Sequence, residues 1–288
     1  MDNREINAGV FKDTVEFFST DKTLLAEMTS SAAKTKLYAA NEYPVLMRPQ
    51  ENVSDAEVRI TNKRTFAAAM DMCHSFPNKK VAVLNFASAV NPGGGVINGS
   101  SAQEEDLCRR STLAISLYQF SLPGGRYGDL ADMVGVKRRA ERYPMDNTYG
   151  GIYSPGITFF RATKDEGYAL LDNPFQAAVI SVASLNYNPK HGHNSLDANG
   201  NIPEADKPVL KEKIRTILRI GILKGHDSLV LGALGCGAFC TPPAQMARLF
   251  HQVLDEEEFV DRFRKIVFAI IDSPSSNNFK PFLKEFSK

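Results

Sequence analysis

The sequence predicts an α/β protein, a three-layer α/β/α sandwich around a mixed or mostly parallel central sheet. Short continuous apolar runs of strand length recur along the chain, and amphipathic segments of helical period separate them. Both glycine-rich segments of the chain directly follow such runs. Because ligands of this fold class bind where loops leave the carboxyl ends of strands, we expect both glycine segments to open onto one crevice.

The first 60 residues combine helical patches with a polar segment at 43–55 (YPVLMRPQENVSD) that is typical of a connector. Thr61 and Asn62 are suited to cap a helix over residues 65–76, where apolar residues recur at helical spacing. From this point the chain alternates between helical and strand patterns.

The run VAVLNF at residues 81–86 predicts a buried strand. Residues 104–118 predict a helix whose first turn is acidic, where the helix macrodipole stabilises negative charge. Between 124 and 151 the chain is polar and irregular, which indicates a long surface excursion. The elements expected after it are strands at 152–160 and 177–183, a loop at 186–203, a helix at 208–223, a strand at 228–232, a helix at 243–254 and a strand at 266–271.

The chain has 288 residues, of which 34 are basic and 33 acidic. A net charge of +1 argues against a general nucleic-acid surface or an anionic-membrane surface. No apolar run approaches the length of a membrane span, and the N-terminal stretch has no signal-peptide core. We expect a protein of the cytoplasm, or of the nucleus if the source is eukaryotic.

The cysteines are Cys73, Cys108, Cys236 and Cys240. They do not form a dense disulfide framework, which favours a reducing compartment. Cys236 and Cys240 suggest a metal site together with the HGH segment at 191–193, but the spacing matches no standard ligand pattern. Small buried thiols and a polar loop are the better interpretation, so we expect no metal.

Seven residues separate a glycine triplet, Gly93-Gly94-Gly95, from the acidic segment Gln103-Glu104-Glu105. Because glycine has no Cβ, the triplet lets the backbone approach a ligand closely or adopt positive φ. The glycines alone would bind phosphate or simply turn the chain, and the glutamates alone would be a solvated helix N-terminus. Together they indicate an anion or sugar site beside a proton donor.

A second glycine loop at residues 232–239 (GALGCGAF) joins a predicted strand to a helix that begins near Pro242-Pro243. Proline is tolerated at the first helical position, and the free backbone N–H groups there suit a diphosphate. The spacing GxxGxG is not the dinucleotide-binding fingerprint, and the chain has no GxxxxGK[ST] sequence. Nicotinamide-dependent dehydrogenases and P-loop enzymes are therefore disfavoured.

The chain resembles the microbial-type poly(ADP-ribose) glycohydrolases, a catalytic branch of the macrodomain family, in the segments NFASAVNPGGG, AQEE, RRS and GALGCGAF followed by PP. The resemblance runs from about Thr61 to the C-terminus, and residues 1–60 match less clearly. It implies a single macrodomain-like catalytic domain over residues 1–288, with 1–60 as an N-terminal helical extension packed on it.

Glycoside hydrolysis through an oxocarbenium-like transition state needs an acid that protonates the leaving oxygen and a base that activates water. Glu104 and Glu105 are neighbours, so at the start of a helix they point about 100° apart and cannot easily flank one bond. The simpler hypothesis gives one glutamate both roles while its neighbour holds a ribose hydroxyl. The neighbour's negative charge would also raise the pKa of the acid.

The resemblance implies individual roles. Glu105 would be the general acid/base and Glu104 the residue that positions the ribose, while Gln103 would support the loop and the ribose. The backbone of Gly93–Gly95 would approach the diphosphate and the distal ribose, and Asn91 would orient the same ribose.

The second loop would add further substrate contacts, at Gly235, Cys236, Gly237, Ala238 and Phe239. Phe239 would pack on the side of the distal ribose and help to exclude water. Phe279 is the candidate for stacking on the adenine, although Phe282 or Phe286 would serve as well, since a C-terminal amphipathic helix explains all three. Asn186–Tyr187 follow a predicted strand and are candidates for the pocket lining.

The implied activity is the hydrolysis of ribose–ribose O-glycosidic bonds in poly(ADP-ribose), which releases ADP-ribose without a metal or organic cofactor. The implied partners are poly(ADP-ribose) or ADP-ribosylated proteins, and a monomer is expected. Two alternatives stay open, a hydrolase of mono-ADP-ribosyl groups and a non-catalytic ADP-ribose reader. The acidic pair argues against the reader, because binding alone gains nothing from two carboxylates beside an anionic ligand.

Overall fold

The structure is a computed structural model that describes residues 2–40, 42, 56–75, 80–121, 135–137, 139, 143–272 and 276–287. The predicted connector at 43–55 and much of the predicted surface excursion at 124–151 lie outside the described residues. Within the described part of the chain, no helix combines the length and the apolar character that a membrane crossing requires.

The strands of the described chain form one seven-stranded sheet. They are β1 (Lys36–Tyr38), β2 (Glu57–Thr61), β3 (Val81–Phe86), β4 (Gly151–Arg161), β5 (Leu170–Val182), β6 (Ser228–Leu231) and β7 (Lys265–Ala269). Their order is β1-β4-β5-β3-β6-β7-β2. Neighbours from β5 to β2 are parallel, and β4 and β1 add to one edge in antiparallel orientation. The predicted mixed sheet is confirmed.

Helices cover both faces of this sheet. One face carries α1 (Asn3–Thr20), α2 (Lys22–Lys34), α3 (Thr65–Ser75), α4 (Gln103–Arg110) and α5 (Leu113–Tyr118). The other face carries α6 (Lys207–Leu223), α7 (Pro243–Leu254) and α8 (Phe279–Phe286). The helices predicted at 208–223 and 243–254 are thus found within one residue of their expected bounds.

Two hydrophobic cores follow from the alternation of side chains along the strands. In β3, Val81 and Val83 point into the core beneath α1–α5, whereas Ala82 and Leu84 point into the core beneath α6–α8. The same alternation recurs in β5, β6 and β7, so the central strands are apolar on both faces. This arrangement confirms the predicted three-layer α/β/α sandwich.

The N-terminal segment is built into this sandwich. Phe18 of α1 and Met28 of α2 are fully buried in the core beneath α1–α5. Asp21 separates the two helices, and its carboxylate caps α2 by accepting two backbone N–H groups at 2.9 Å. The first 60 residues also supply β1 and β2 at opposite edges of the sheet, so they are more than a helical extension.

Two predicted helix boundaries are wrong. Thr61 does not cap a helix, because it is the last residue of β2, and α3 begins only at Thr65. The helix predicted over 104–118 is interrupted between α4 and α5, where Ser111 is extended (φ −150°, ψ 178°) and forms an isolated antiparallel bridge with Phe159. Pairing with a distant strand therefore overrides the local helical pattern.

Two strands differ from their predicted bounds. The strand predicted at 177–183 begins at Leu170 in the structure. The prediction missed its first half because that half is largely exposed and polar and lacks the apolar run that identified the buried half. The strand predicted at 266–271 ends at Ala269, where the chain turns into the wall of a cavity.

Candidate active site

A cavity of about 660 Å³ lies at the carboxyl ends of the parallel strands. From the first glycine segment and α4 it is lined by Asn91, Gly94, Gly95, Gln103, Glu104 and Glu105. From the second glycine loop it is lined by Gly235, Gly237, Ala238 and Phe239. The expectation that both glycine segments open onto one crevice is confirmed.

The first turn of α4 directs two carboxyl groups into this cavity. The helix begins at Gln103, and Glu104 and Glu105 follow in its first turn, where the macrodipole stabilises negative charge. Although both glutamates line the cavity, they are only 3% and 7% exposed. Because burial of a carboxylate is costly, each side chain needs specific contacts to offset the loss of water.

Glu104 is fixed at both carboxyl oxygens by β3 and the loop that follows it. Its Oε2 accepts a hydrogen bond of 2.8 Å from the backbone N–H of Ser88, and its Oε1 accepts one of 3.3 Å from Asn85 Nδ2. Asn85 Nδ2 also donates to Ser181 Oγ of β5 at 3.0 Å, which orients the amide. The position of Glu104 is therefore determined by the central strands of the sheet.

The protonation of Glu104 is set by two opposing influences. Burial raises its pKa to about 8, and the negative charge of Glu105 acts in the same direction. The hydrogen bonds that it accepts from Ser88 and Asn85 oppose this rise without cancelling it. The sequence predicted a raised pKa for the general acid, whereas the raised pKa is found on Glu104, the residue expected to position the ribose.

Glu105 has one anchored oxygen and one unused oxygen. Its Oε1 accepts a hydrogen bond of 2.8 Å from the backbone N–H of Gly95. Its Oε2 is buried and has no hydrogen-bond partner among the described residues. A buried polar atom without a partner is rare in a folded protein, and in a cavity it marks a position for a ligand group.

Gly94 makes the close approach of loop and carboxyl groups possible. Its backbone has φ +61°, a conformation that favours glycine. A Cβ at this position would collide with Glu105 Oε1 and would lie 3.0 Å from Glu104 Oε2. The middle glycine of the triplet is therefore required by the acidic pair, in addition to any contact with a ligand.

Gln103 ties the start of α4 to the end of β3. Its Oε1 accepts the backbone N–H of Phe86 at 2.8 Å, and its Nε2 donates to the carbonyl of Leu84 at 2.8 Å. A third contact reaches Thr65 Oγ1 of α3 at 3.3 Å. Its amide thus fixes the first turn of α4 against β3, and the support of the glycine loop and the ribose stays a prediction.

The second glycine loop offers unused backbone donors to the same cavity. Gly235 has φ +76°, and a Cβ there would lie 2.5 Å from Ser184 Oγ and from Thr241 Oγ1. Within the described chain, no acceptor is found for the backbone N–H groups of Gly235, Gly237, Ala238 and Phe239. Such a row of free N–H groups suits a diphosphate.

Three predicted substrate contacts lie outside the lining that the described residues form. Gly93 is buried beneath the loop, where a Cβ would lie 3.2 Å from the Tyr118 hydroxyl. Cys236 faces the core beneath α6–α8, and burial raises the pKa of its thiol. Phe279 packs against the same core at the start of α8, and its neighbour Asn278 lines the cavity instead.

Other predicted positions have structural contacts. The Tyr187 hydroxyl donates to Asp206 Oδ2 at 2.9 Å, and its backbone N–H donates to the Phe239 carbonyl at 2.9 Å. Asn186 accepts the backbone N–H of Asn188 at 3.0 Å. Neither Asn186 nor Tyr187 is among the described residues that line the cavity; Tyr187 braces the second loop, and Asn186 bonds within its own loop.

Several residues that hold Glu104 or line the cavity were not predicted from the sequence. Asn85 and Ser88 hold Glu104, and the signal for Asn85 was a lone amide in an otherwise apolar buried strand. Arg109 and Arg110 are almost fully buried and also line the cavity, although the sequence analysis assigned no role to the RRS segment. Among the described residues, no group of three or more His, Cys, Asp or Glu side chains is placed to hold a metal ion.

Comparison with known families agrees with this geometry. The model of the microbial-type PARG catalytic domain, PARG being poly(ADP-ribose) glycohydrolase, matches residues 13–162, which is more than half of the chain. The chain belongs to this family. The family is one of glycoside hydrolases that act on poly(ADP-ribose), so the protein is an enzyme. A search of curated protein sequences found no match.

Solved structures of bacterial PARG proteins share the whole fold. The Thermomonospora curvata glycohydrolase bound to the inhibitor ADP-HPD is 29% identical, with a TM-score of 0.75, and the match covers 98% of this chain and 100% of that one. A Deinococcus radiodurans glycohydrolase in complex with ADP-ribose is 30% identical, with a TM-score of 0.68, and the match covers 90% and 96% of the two chains.

The extent of these matches corrects one expectation. The resemblance was placed from about Thr61 onward, whereas the PARG family model begins at residue 13 and the Thermomonospora match covers nearly all of the chain. The N-terminal helices and edge strands thus belong to the part of the fold that this chain shares with PARG structures. Their sequences match too weakly to reveal this by inspection.

Proposed function

We propose that this PARG family member hydrolyses the ribose–ribose O-glycosidic bonds of poly(ADP-ribose) and releases ADP-ribose, with Glu105 as the general acid and base. The observation that carries this assignment is the unpartnered, buried Oε2 of Glu105 in the cavity. Proton transfer to a substrate oxygen requires a carboxyl oxygen that is held in position and has no other hydrogen-bond partner. Oε2 meets both conditions, because the bond from Gly95 to Oε1 fixes the carboxyl group.

In the first step, Glu105 acts as the acid, and its Oε2 transfers a proton to the glycosidic oxygen. The bond between that oxygen and the anomeric carbon then breaks, the bonding electrons stay with the oxygen, and an oxocarbenium-like ribose remains. In the second step, water attacks the anomeric carbon and the carboxylate of Glu105 removes its proton. The products are ADP-ribose and a chain with a new hydroxyl, and Glu105 is again protonated.

The surrounding residues supply position and charge. A protonated Glu104 has a hydroxyl that can donate to a ribose oxygen, while Asn85 and Ser88 keep its carboxyl from rotating. The free N–H groups of Gly235, Gly237 and their neighbours would bind the diphosphate, and Asn91 at the rim would orient the distal ribose. No step in this scheme uses a cofactor.

The test compares wild type with Glu105→Gln on auto-modified poly(ADP-ribose) polymerase. We expect wild type to release ADP-ribose and the variant to lose about 100-fold or more of that rate, because the amide cannot donate and regain the proton. ADP-ribose affinity, measured by calorimetry, should change little. The matched control is Glu16→Gln, the same chemical change at an exposed position of α1.

The outcomes separate the alternatives. Polymer hydrolysis at the wild-type rate by Glu105→Gln would refute the assignment of the general acid. Tight ADP-ribose binding by wild type without release from polymer would favour the reader, and release from a mono-ADP-ribosylated protein alone would favour a mono-ADP-ribosyl hydrolase.

We also propose that residues 1–288 act as one monomeric domain in a reducing compartment such as the cytoplasm. The single sheet that spans the described chain supports one domain. All four cysteines are free thiols, which supports the compartment. ADP-ribosylated proteins are the proposed carriers of its substrate. Light scattering of the purified protein would test the oligomeric state.

A further inference from the structure

We propose that a basic extension of the cavity binds the diphosphate of a second ADP-ribose unit, on the leaving side of the scissile bond. This inference rests on the proposed function and concerns how the enzyme holds polymer rather than a single unit. The extension, here called the side lobe, is formed by Arg64, Asp106, Arg110, Thr163 and Lys164, which line the same cavity as the acidic pair.

The side lobe lies beyond the first turn of α4. Asp106 and Arg110 project from α4 itself, Arg64 directly precedes α3, and Thr163 and Lys164 belong to the turn after β4. None of these positions belongs to either glycine segment. The lobe is thus a second group of cavity residues, continuous with the first through Gln103 and the start of α4.

Arg110 is the buried cation of the side lobe. Its side chain is fully buried, with Cζ 3.4 Å from the centre of the Phe66 ring and Nε donating to the Ala162 carbonyl at 3.0 Å. Nη1 forms an ion pair with Asp106 Oδ2 at 2.9 Å. Nη2 is buried and has no partner among the described residues, so the guanidinium retains one donor for a ligand.

Arg64 and Lys164 add exposed positive charge at the rim of the side lobe. Within the described chain neither side chain forms an ion pair, and Lys164 Nζ contacts only the neutral Asn3 Oδ1, at 3.1 Å. The carboxylate of Glu166 accepts both the N–H and the hydroxyl of Thr163, so it lies beside the side lobe and adds a second negative charge there. The three cations Arg64, Arg110 and Lys164 outnumber the carboxylates of Asp106 and Glu166, so the side lobe keeps a net positive charge that attracts a diphosphate.

The spacing along α4 fits the chemistry of the polymer. Arg110 follows Glu105 by five residues, which is a rise of about 7.5 Å along the helix. The scissile bond joins two riboses, and each carries a diphosphate on its own C5 oxygen. The diphosphate of the leaving unit is therefore one ribose away from the oxygen that Glu105 protonates, a separation comparable to this rise along α4.

The experiment uses the double variant Arg64→Ala/Lys164→Ala and poly(ADP-ribose) fractionated by chain length. Both residues are exposed, so the variant should fold normally, which the melting temperature would verify. We expect KM for polymer to rise by about tenfold, with a much smaller change in kcat, because two charge contacts to the second unit are lost. Added salt should raise KM less steeply in the variant than in wild type.

The control variant is Lys22→Ala/Arg248→Ala, which removes the same two charges at exposed positions outside the cavity lining. Its KM should match that of wild type. An unchanged KM in the side-lobe variant would overturn the proposal, as would an equal weakening of free ADP-ribose binding, since the cations would then serve the first unit. Failure of the proposed function is seen separately, as absence of ADP-ribose release by wild type.

Discussion

The backbone N–H of Gly95 donates a hydrogen bond of 2.8 Å to Oε1 of Glu105, across ten positions of the chain. This bond joins the glycine triplet to the acidic pair and leaves Oε2 without a hydrogen-bond partner among the described residues. Because the donor is a backbone group in a short loop, the direction of the carboxyl depends on the path of that loop. The catalytic proposal therefore predicts that loop geometry controls the rate as strongly as the glutamate itself.

Gly94→Ala tests this dependence. The new Cβ would overlap Glu105 Oε1, so either the loop or the carboxyl must move. We expect the rate of ADP-ribose release to fall about 100-fold, since proton transfer needs correct placement. The free energy of unfolding should fall by about 1–2 kcal/mol, because alanine is strained at positive φ. Initial rates and urea denaturation give the two quantities.

Gly200→Ala is the matched control for this strain. Gly200 has φ +75°, but a Cβ there has no heavy atom within 4 Å. The control should lose similar stability and keep its rate. Equal rates in both variants would show that the position of Glu105 tolerates displacement.

Glu104 should make the stability of the protein depend on pH. Its pKa is raised from 4.5 to about 8, so the folded state holds a proton that the unfolded state releases above pH 4.5. The stabilisation is complete below pH 4.5 and is lost as pH rises through about 8. Between these limits the free energy of unfolding should fall by up to about 1.4 kcal/mol per pH unit relative to Glu104→Gln, which has no titrating group at this position.

Urea denaturation of wild type and Glu104→Gln at pH 5, 7 and 9 would measure this difference. We expect the variant to gain stability relative to wild type as pH rises. Glu16→Gln, at an exposed position, should follow wild type. Parallel curves for wild type and Glu104→Gln would contradict the raised pKa.

Phe239 should contribute to catalysis through its bulk at the cavity wall. The side chain is half-buried and lines the cavity beside the free N–H groups of the second loop. We expect Phe239→Ala to reduce kcat/KM about tenfold, because a smaller side chain admits water and loses apolar contact with the ribose. Phe239→Leu should retain most of the activity. If both variants behave like wild type, the ring is only part of the loop's packing.

Sequence patterns were sufficient for the layers of the fold and for the position of the site. The continuous apolar run of β3 and the amphipathic pattern of α6 are local properties, and each is visible within a few residues. The two glycine segments could be placed in one crevice because both follow parallel strands. Those inferences needed no knowledge of which distant residues touch.

Contacts between distant residues could not be predicted in the same way. Ser111 interrupts a helical pattern because it pairs with Phe159, and Glu104 is distinguished from Glu105 by bonds from Asn85 and Ser88. Phe279 is partly buried against the core beneath α6–α8, a contact that its local sequence does not specify, and its stacking on adenine stays a prediction. In each case the decisive partner lies in another element, and local pattern carries no information about it.

The N-terminal helix should influence catalysis through one buried amide. Asn7 Nδ2 of α1 donates to the Gly99 carbonyl at 3.1 Å, directly after the turn at Val96–Asn98 that follows the glycine triplet. Asn7 is 1% exposed, and a Cβ on Gly99 would collide with the Arg4 backbone, so helix and loop are in close contact. We expect Asn7→Ala to lower the free energy of unfolding by about 1–2 kcal/mol, because a buried hydrogen bond is lost.

The same variant should reduce the rate of ADP-ribose release about fivefold at temperatures where it is fully folded, because the turn that follows Gly95 loses its brace. Lys12→Ala, an exposed change on α1, should alter neither quantity. A loss of stability with an unchanged rate would mean that α1 stabilises the fold without positioning the loop. A loss of both would make the N-terminal segment part of the catalytic unit, since Asn7 contacts the turn that follows Gly95 through the Gly99 carbonyl.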